Sequence, residues 1–225
     1  MLDKENKIPK TIHYIWVGKQ PLTPLAERCI ESWKRYLPDY EIKLWNESNS
    51  PMSHHYVKVM YERKKWAFVA DYIRFWVLEK EGGIYLDTDT EVLQSFDPLL
   101  KHEAFFGQTK DDVTAAGVIG SIPYHSAIRA ILAVYDNDRE YSMKRTSPRT
   151  VTDVLSKGNY EGVEVYDYRY FNPCNDGENC TDEKLAVAYA RNHWAESWVP
   201  LAYVRKALRR LGLMKFLKKI KGNSY

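Results

Sequence analysis

Two aspartates, Asp87 and Asp89, lie two positions apart in the segment GGIYLDTDTEV, directly after a short apolar run. Side chains at positions i and i+2 of an extended segment project to the same side. Two carboxylates on one side provide the hard oxygen ligands that a divalent cation takes when it is bound together with substrate phosphates. Asp-x-Asp also occurs in ordinary turns. The predicted helices and strands around it are therefore needed to distinguish a metal site from a turn.

A second pair of charged residues, Asp71 and Arg74, lies three positions apart on a predicted helix, so the two side chains share a face. An exposed pair of this kind would contribute little to stability. The surrounding sequence, WAFVADYIRFWVL, is apolar on nearly every side. Charged groups on a buried helix need a partner or a function, and we therefore expect this pair to belong to the site.

His193 lies in the late segment NHWAESW, which we place just after a helix. A single histidine serves in structural roles as well as in catalysis and metal binding, and the sequence leaves both roles open. The neighbouring Trp194 and Trp198 indicate a stacking surface or a lid.

Several common phosphate and metal motifs are absent from the sequence. It contains no G-x-x-x-x-G-K-[ST] and no G-x-G-x-x-G run. A calcium loop counted from Asp87 needs glycine at its sixth position, where Val92 stands. Phosphatases of the haloacid-dehalogenase kind expect Thr or Val where this chain has Glu91. A metal-dependent phosphohydrolase remains an alternative, without one of these motifs to support it.

Alternating strands and helices are predicted to position the candidate residues. This order predicts an α/β sheet in which neighbouring strands are parallel. The loop that begins at Asp87 then lies at the carboxyl end of a strand, which is where open α/β sheets bind ligands. Residues 136–182 are rich in turns and receive no assignment. The predicted strands are 12–17, 41–45, 84–86, 104–107 and 118–120, and the predicted helices are 25–36, 56–80, 126–135 and 181–190.

The chain has 225 residues, a formal charge of +3 and three cysteines, Cys29, Cys174 and Cys180. We predict one globular domain over residues 1–200 and a helical tail over residues 201–225. Three cysteines cannot all pair in disulfides, and none of them belongs to a C-x-x-C motif. We therefore expect free thiols and a cytoplasmic location. No apolar leader or long apolar segment is evident.

The predicted tail contains eight Lys and Arg residues and no acidic residue. Leu213, Phe216, Leu217 and Ile220 recur at helical spacing, and lysines fill the other face. A basic amphipathic helix is typical of segments that lie on anionic membranes, here the inner face of the cell membrane. The alternative is a helix that packs on the body of the protein. Nucleic acid is not expected as a partner, because aromatic residues are not interleaved with the basic ones.

The ordered segments IPKTIHYIWVG, ADYIR, GGIYLDTDTEV and HWAESW resemble the DXD-containing sugar transferases of bacterial capsular-polysaccharide synthesis. Fungal initiating mannosyltransferases and the glucosylating clostridial toxins are more distant relatives in this resemblance. It implies a GT-A fold, that is, a Rossmann-like mixed sheet flanked by helices. It also implies a UDP- or GDP-sugar donor, a Mn²⁺ or Mg²⁺ ion, and transfer that retains the anomeric configuration.

The resemblance further implies which residues bind the donor. Trp16 is similar to the aromatic residue that stacks on the nucleobase, and Tyr85 is similar to a tyrosine that lines the donor site. Asp71 would hold hydroxyl groups of the donor sugar, and Arg74 would lie beside the diphosphate. Trp198 resembles the aromatic residue of a C-terminal flap.

The metal site is implied in the same way. Asp89 resembles the direct metal ligand, Asp87 the contact to the ribose or to a metal-bound water, and His193 the late ligand that completes the site. Glu91 receives no role and is expected to tolerate substitution.

The sequence departs from the family pattern at Ala70, where serine is expected, and in Thr114-Ala115-Ala116-Gly117, where many relatives carry an asparagine. Our first hypothesis is a metal-dependent retaining glycosyltransferase acting on a saccharide or lipid-linked acceptor in surface polysaccharide synthesis. A protein that binds nucleotide sugars or carbohydrates without turnover is the main alternative.

Overall fold

Strands and helices alternate through the first half of the chain, as the sequence predicts. The computed structural model describes residues 6–175 and 178–195. The strands are β1 (Thr11–Ile15), β2 (Glu41–Trp45), β3 (Gly83–Leu86), β4 (Thr90–Val92), β5 (Ala104–Gln108), β6 (Thr114–Ser121), β7 (Val163–Tyr166) and β8 (Ala190–Asn192). The helices are α1 (Pro24–Tyr36), α2 (His55–Glu62), α3 (Trp66–Glu81), α4 (Ser126–Asp136), α5 (Ser147–Lys157) and α6 (Asp182–Ala186).

Six of the strands form one mixed sheet in the order β2-β1-β3-β6-β5-β7. Strand β1 is parallel to β2 and β3, β6 is antiparallel to β3 and β5, and β7 is parallel to β5. Strands β4 and β8 form a separate antiparallel pair. The predicted α/β fold with a mixed central sheet is confirmed.

The hydrophobic core consists of two clusters that share the strands between them. In β3, Ile84 and Leu86 belong to one cluster and Tyr85 belongs to the other. The same alternation separates Phe105 from Phe106 in β5. Because successive side chains of a strand point to opposite faces, each cluster packs on one face of the sheet.

Gly82 ends α3 and turns the chain into β3. Its φ is 64°, a left-handed value that glycine adopts without steric cost. A Cβ atom at Gly82 would also lie 2.8 Å from the carbonyl oxygen of Ser121. The predicted helix end is therefore confirmed, and it directs β3 so that its carboxyl end leads into Asp87.

The predicted single helix over residues 56–80 is wrong in one respect, because α2 and α3 are separate helices. Lys64 lies between them with a φ of 55°, which a right-handed helix cannot accommodate. The local sequence ERKK also lacks apolar residues that would continue the buried stripe.

Two further differences lie in the second half of the chain. The helix predicted over 181–190 ends at Ala186, and β8 follows it, so His193 comes after a strand and not after a helix. Within residues 136–182, α5 and β7 received no prediction. Strand β8 pairs with β4, a partner about a hundred residues earlier, and local sequence patterns carry no information about such a distant partner.

The expectation of three free thiols is also wrong. Cys174 and Cys180 form a disulfide, with their Cα atoms 5.7 Å apart, and Cys29 is a buried free cysteine whose pKa is raised to about 12 by burial. A loop brings the two cysteines within the normal disulfide range although they do not form a C-x-x-C pair. In the described part of the chain, no helix has the length and apolar character needed to span a bilayer. The predicted tail and Trp198 lie outside the described residues.

His13, in the middle of β1, is fully buried. Its Nδ1 accepts a hydrogen bond from the indole N–H of Trp45 at 3.1 Å, and its Nε2 lies 2.9 Å from the carbonyl oxygen of Gly82. This arrangement requires the neutral ring with its proton on Nε2. Burial lowers the pKa of His13 to about 4.

We predict that His13 makes folding stability depend on pH between about pH 6.5 and pH 4. In this range the unfolded chain binds a proton at His13 and the folded chain does not, so the free energy of unfolding falls as the pH falls. Between pH 7 and pH 5 the wild type should lose about 2 kcal/mol more than His13→Gln. Urea denaturation of both proteins at the two pH values measures this difference. Equal losses in the two proteins would contradict the prediction.

Candidate active site

A cleft of about 690 Å³ opens where β1 and β3 end and α3 begins. Trp16 follows β1, and Asp87 and Asp89 follow β3. Asp71 and Arg74 reach the same cleft from α3. The structure thus brings together six of the eight residues predicted for the site, namely Trp16, Asp71, Arg74, Tyr85, Asp87 and Asp89.

Arg74 connects the two acidic motifs of the sequence. Its guanidinium contacts Asp71 at 2.9 Å and Asp87 at 3.3 Å, and it donates to the carbonyl oxygen of Ala116 at 2.6 Å. The Arg74 and Asp71 side chains are only 6% and 8% exposed. Burial opposes the charge on Arg74, but Tyr85, Asp87 and Asp71 raise its pKa. The buried guanidinium is therefore a fixed positive charge in the cleft.

Asp71 is held from its other side by the start of α5. The backbone N–H of Ser147 donates to Asp71 Oδ2 at 3.1 Å. Burial raises the pKa of Asp71, against the opposing effects of Arg74 and of hydrogen bonds from Ser147. A carboxylate at a helix N-terminus is also favoured by the backbone dipoles.

Ser147 was not predicted as a site residue. Thr146, Ser147 and Pro148 together form a helix-start signal, which could have identified α5 but not its contact with α3. The hydroxyl group of Ser147 also interacts with Asp71, in a chain that has Ala70 where the family pattern has serine.

Tyr85 links Arg74 to the DXD segment. Its hydroxyl donates to Asp87 Oδ1 at 2.7 Å, and the Arg74 guanidinium lies 4.5 Å from the centre of its ring. A cation over an aromatic face is stabilised by the ring quadrupole. Tyr85 therefore fixes Asp87 and Arg74 relative to each other.

Asp89 is held by the segment that follows β8. Its Oδ2 accepts a hydrogen bond from the Ala195 N–H at 2.7 Å, and its backbone carbonyl accepts one from the His193 N–H at 2.9 Å. Burial and the neighbouring Asp87 raise the pKa of Asp89 to about 6. Two carboxylates in one cleft repel each other, and a bound cation would relieve this repulsion.

The donor set of Asp87 and Asp89 fits a divalent cation bound through one or two carboxylates and substrate phosphates. A Cβ atom at Gly117 would lie 2.9 Å from Asp87 Oδ2, so the glycine keeps the space beside this oxygen open. Among residues 6–175 and 178–195, no three His, Cys, Asp or Glu side chains are grouped as a complete metal site. Substrate phosphates and water are further ligands that such a cation commonly takes.

His193 lies behind Asp89 and is not among the residues that line the cleft. Its Nε2 is 2.9 Å from Glu91 Oε2, and this hydrogen bond lowers the pKa of Glu91. Glu91, to which the sequence assigned no role, therefore orients the His193 ring. The role of His193 as a metal ligand stays a prediction.

Trp16 lies at an apolar part of the cleft that includes Ile15, Val17 and Trp66. Its indole N–H donates to the carbonyl oxygen of Gln20 at 2.6 Å. A Cβ atom at Gly18 would lie 3.0 Å from the Trp66 ring, so the glycine lets the backbone approach this aromatic residue closely.

Comparisons with known proteins find similarity over the segment that contains much of this cleft. Residues 24–106, which include Asp71, Arg74, Asp87 and Asp89, match the glycosyltransferase sugar-binding region containing the DXD motif. The mannosyl phosphorylinositol ceramide synthase SUR1 of Saccharomyces cerevisiae is 31% identical over 133 residues, which are 54% of this chain and 33% of that protein. The chain thus spans about a third of the length of this fungal relative.

A second relative matches over most of its length. The uncharacterized glycosyltransferase L373 of Acanthamoeba polyphaga mimivirus is 24% identical over 213 residues, 86% of this chain and 84% of that protein. Among solved structures, the PaToxG glycosyltransferase superposes with a TM-score of 0.54 at 18% identity, over 67% of this chain and 68% of that one. The resemblance to DXD-containing sugar transferases is therefore confirmed over residues 24–106, and the fold is similar to that of solved GT-A glycosyltransferases.

Proposed function

We propose that the protein transfers a sugar from a nucleotide-sugar donor to a saccharide or lipid-linked saccharide acceptor, with the help of a divalent cation. The observation that carries this proposal is the ion-pair network of the buried Asp71 and Arg74 with the partly exposed Asp87, in the same cleft as Asp89. Burying charges costs free energy. Binding of a donor diphosphate by Arg74 would explain why the protein keeps these charges.

We propose one orientation of the donor in the cleft. The nucleobase would pack at the apolar part lined by Trp16 and Trp66, and the diphosphate would lie near the Arg74 guanidinium. Asp87 and Asp89 would hold Mn²⁺ or Mg²⁺, which when bound supplies positive charge for the leaving diphosphate. Arg74 is preorganised by its contacts with Asp71 and Asp87, so it stabilises the developing charge without reorganising.

We further propose that transfer retains the anomeric configuration. In the described part of the chain, the carboxylates that line the cleft are Asp71, Asp87 and Asp89. The first contacts Arg74 and the other two belong to the DXD segment. The bond from the anomeric carbon to the diphosphate oxygen would break as the acceptor oxygen attacks from the same face, and the acceptor proton would pass to the departing diphosphate. Anomeric NMR signals of the product test this proposal.

The acceptor and the cellular role are proposed from the name of a relative and from the composition of residues 201–225. The name of the yeast relative refers to an inositol-containing ceramide, which favours a lipid-linked acceptor for this chain. An enzyme of surface polysaccharide synthesis at the cytoplasmic face of the membrane agrees with the basic residues 201–225. Flotation with anionic vesicles, with and without these residues, tests the membrane contact, and equal binding by both proteins would contradict it.

The function is tested by incubating the full chain with a panel of UDP- and GDP-sugars, with Mn²⁺ and with a chelator. Release of nucleoside diphosphate that requires Mn²⁺ supports the glycosyltransferase. Binding of a nucleotide sugar without release would indicate a binding protein, and release of inorganic phosphate from simple phosphate esters would indicate a phosphohydrolase. Each of the last two results contradicts the proposal.

A further inference from the structure

We propose that Trp194, together with Asn172 and Asn192, forms a binding surface for a pyranose ring of the acceptor. This inference rests on the proposed glycosyltransferase function. All three residues line the same cleft as Asp71, Asp87 and Asp89, and none of the three has a role in the donor site described above.

The surface lies next to the DXD segment because β8 pairs with β4. Asn192 is paired with Thr90 in this ladder, and the chain continues through Trp194 to Ala195, whose N–H donates to Asp89 Oδ2 at 2.7 Å. Trp194 is therefore one residue from a direct backbone contact with Asp89. An acceptor on this surface would lie beside the group that we propose to activate the donor.

Two hydrogen bonds hold Trp194, one through its indole and one through its backbone. Its ring N–H donates to the carbonyl oxygen of Cys174 at 2.8 Å, and its backbone N–H donates to Asn192 Oδ1 at 2.6 Å. Trp194 also has a φ of 52°, a left-handed value that is unusual for a bulky residue. Such strain persists where surrounding contacts impose it, and it is frequent at functional sites.

The residue that holds the indole has a covalent partner. Cys174 is bonded to Cys180, and Lys110 contacts Glu178 at 2.7 Å. The buried Asn172 donates to the carbonyl oxygen of Gln108 at 2.9 Å. A rigid support reduces the entropy lost when a ligand binds, so the geometry of this surface is suited to a defined ligand.

The chemistry of the surface fits a sugar ring. The indole N–H donates to the carbonyl oxygen of Cys174, and Trp194 lines the cleft, so we assign its apolar ring to the contact with the sugar. The carbon-bound hydrogens on one face of a pyranose can pack on such a ring, and carboxamide groups can bond to hydroxyls at its edge. A flat ring surface beside two carboxamides would bind a saccharide acceptor better than a simple lipid alcohol, which has neither a pyranose face nor several hydroxyl groups.

The test compares Trp194→Ala with Trp194→Phe in the full chain. The probes are methyl glycosides of common hexoses, observed by saturation-transfer NMR in the presence of Mn²⁺ and nucleoside diphosphate, and then used as acceptors in steady-state assays. We expect Trp194→Ala to raise the acceptor KM at least tenfold and the donor KM less than twofold. Trp194→Phe keeps an aromatic surface and should stay within about threefold of wild type in both. Tyr124→Ala, which removes an aromatic ring that is 59% exposed, is the matched control.

Three results would overturn the inference. The first is that wild-type protein binds none of the glycosides, and the second is that Trp194→Ala has an unchanged acceptor KM. The third is that Trp194→Ala raises the KM for the donor and the acceptor equally, which would assign Trp194 to the donor site or to folding. Diphosphate release by the wild type without acceptor tests the proposed function separately, so the two can fail independently.

Discussion

Replacing Asp89 with asparagine is expected to lower sugar transfer by at least about 100-fold, because the leaving diphosphate loses its stabilising charge. The carboxylate is partly buried, and burial together with Asp87 raises its pKa to about 6. Asparagine keeps the size of the side chain and an oxygen that can accept the hydrogen bond from Ala195. It removes the negative charge that a divalent cation needs. The loss should therefore appear in metal binding and turnover, and not in folding.

The position of Asp89 beside Asp87 also predicts how Asp89→Asn changes the unfolding temperature. Without a cation, Asp89→Asn removes the repulsion between the two carboxylates, so the variant should unfold at the same temperature as wild type or slightly higher. With Mn²⁺ and nucleoside diphosphate, wild type should gain thermal stability through binding, and the variant should gain less. Differential scanning calorimetry and turnover measurements check both points, with the exposed Asp111→Asn as the matched control. Full metal-dependent activity in Asp89→Asn would disprove the assignment of the metal ligand.

Apart from the break between α2 and α3, the path of the chain from β1 to Asp87 could be predicted from the sequence because each step has a local cause. Alternating apolar residues form β2, a buried stripe forms α3, and Gly82 provides the positive φ that ends this helix. Asp71 and Arg74 were recognised as site residues because they are charged residues in an apolar segment. The burial of these two residues is therefore encoded by their immediate sequence neighbours.

The other side of the site could not be predicted because it depends on contacts between distant segments. Glu91 meets His193 across 102 residues, through the pairing of β4 with β8. Ser147 meets Asp71 across 76 residues, through the start of α5. The disulfide from Cys174 to Cys180 was missed for a different reason, because the small number of cysteines indicated free thiols.

Replacing Arg74 with methionine is expected to destabilise the protein by about 3 kcal/mol and to abolish transfer, because it leaves Asp71 and Asp87 without their shared cation. Methionine has a similar length and fits an apolar environment, so the loss reports mainly on charge. Adding Asp71→Asn removes the uncompensated buried carboxyl group. The double variant should therefore recover at least about 1 kcal/mol relative to the sum of the two single variants, while transfer stays abolished.

Urea denaturation of the four proteins in this double-mutant cycle measures the coupling, and diphosphate release measures activity. In this experiment the double variant should recover stability without recovering transfer, because Arg74 has two roles. Within the protein it neutralises Asp71, which has its own hydrogen bond from Ser147, and towards the substrate we propose that it faces the diphosphate. Strictly additive losses of stability would show that the buried pair contributes no net interaction. Transfer by the double variant at more than about a tenth of the wild-type rate would remove Arg74 from the proposed mechanism, since removal of a preorganised charge at the leaving group costs about 100-fold.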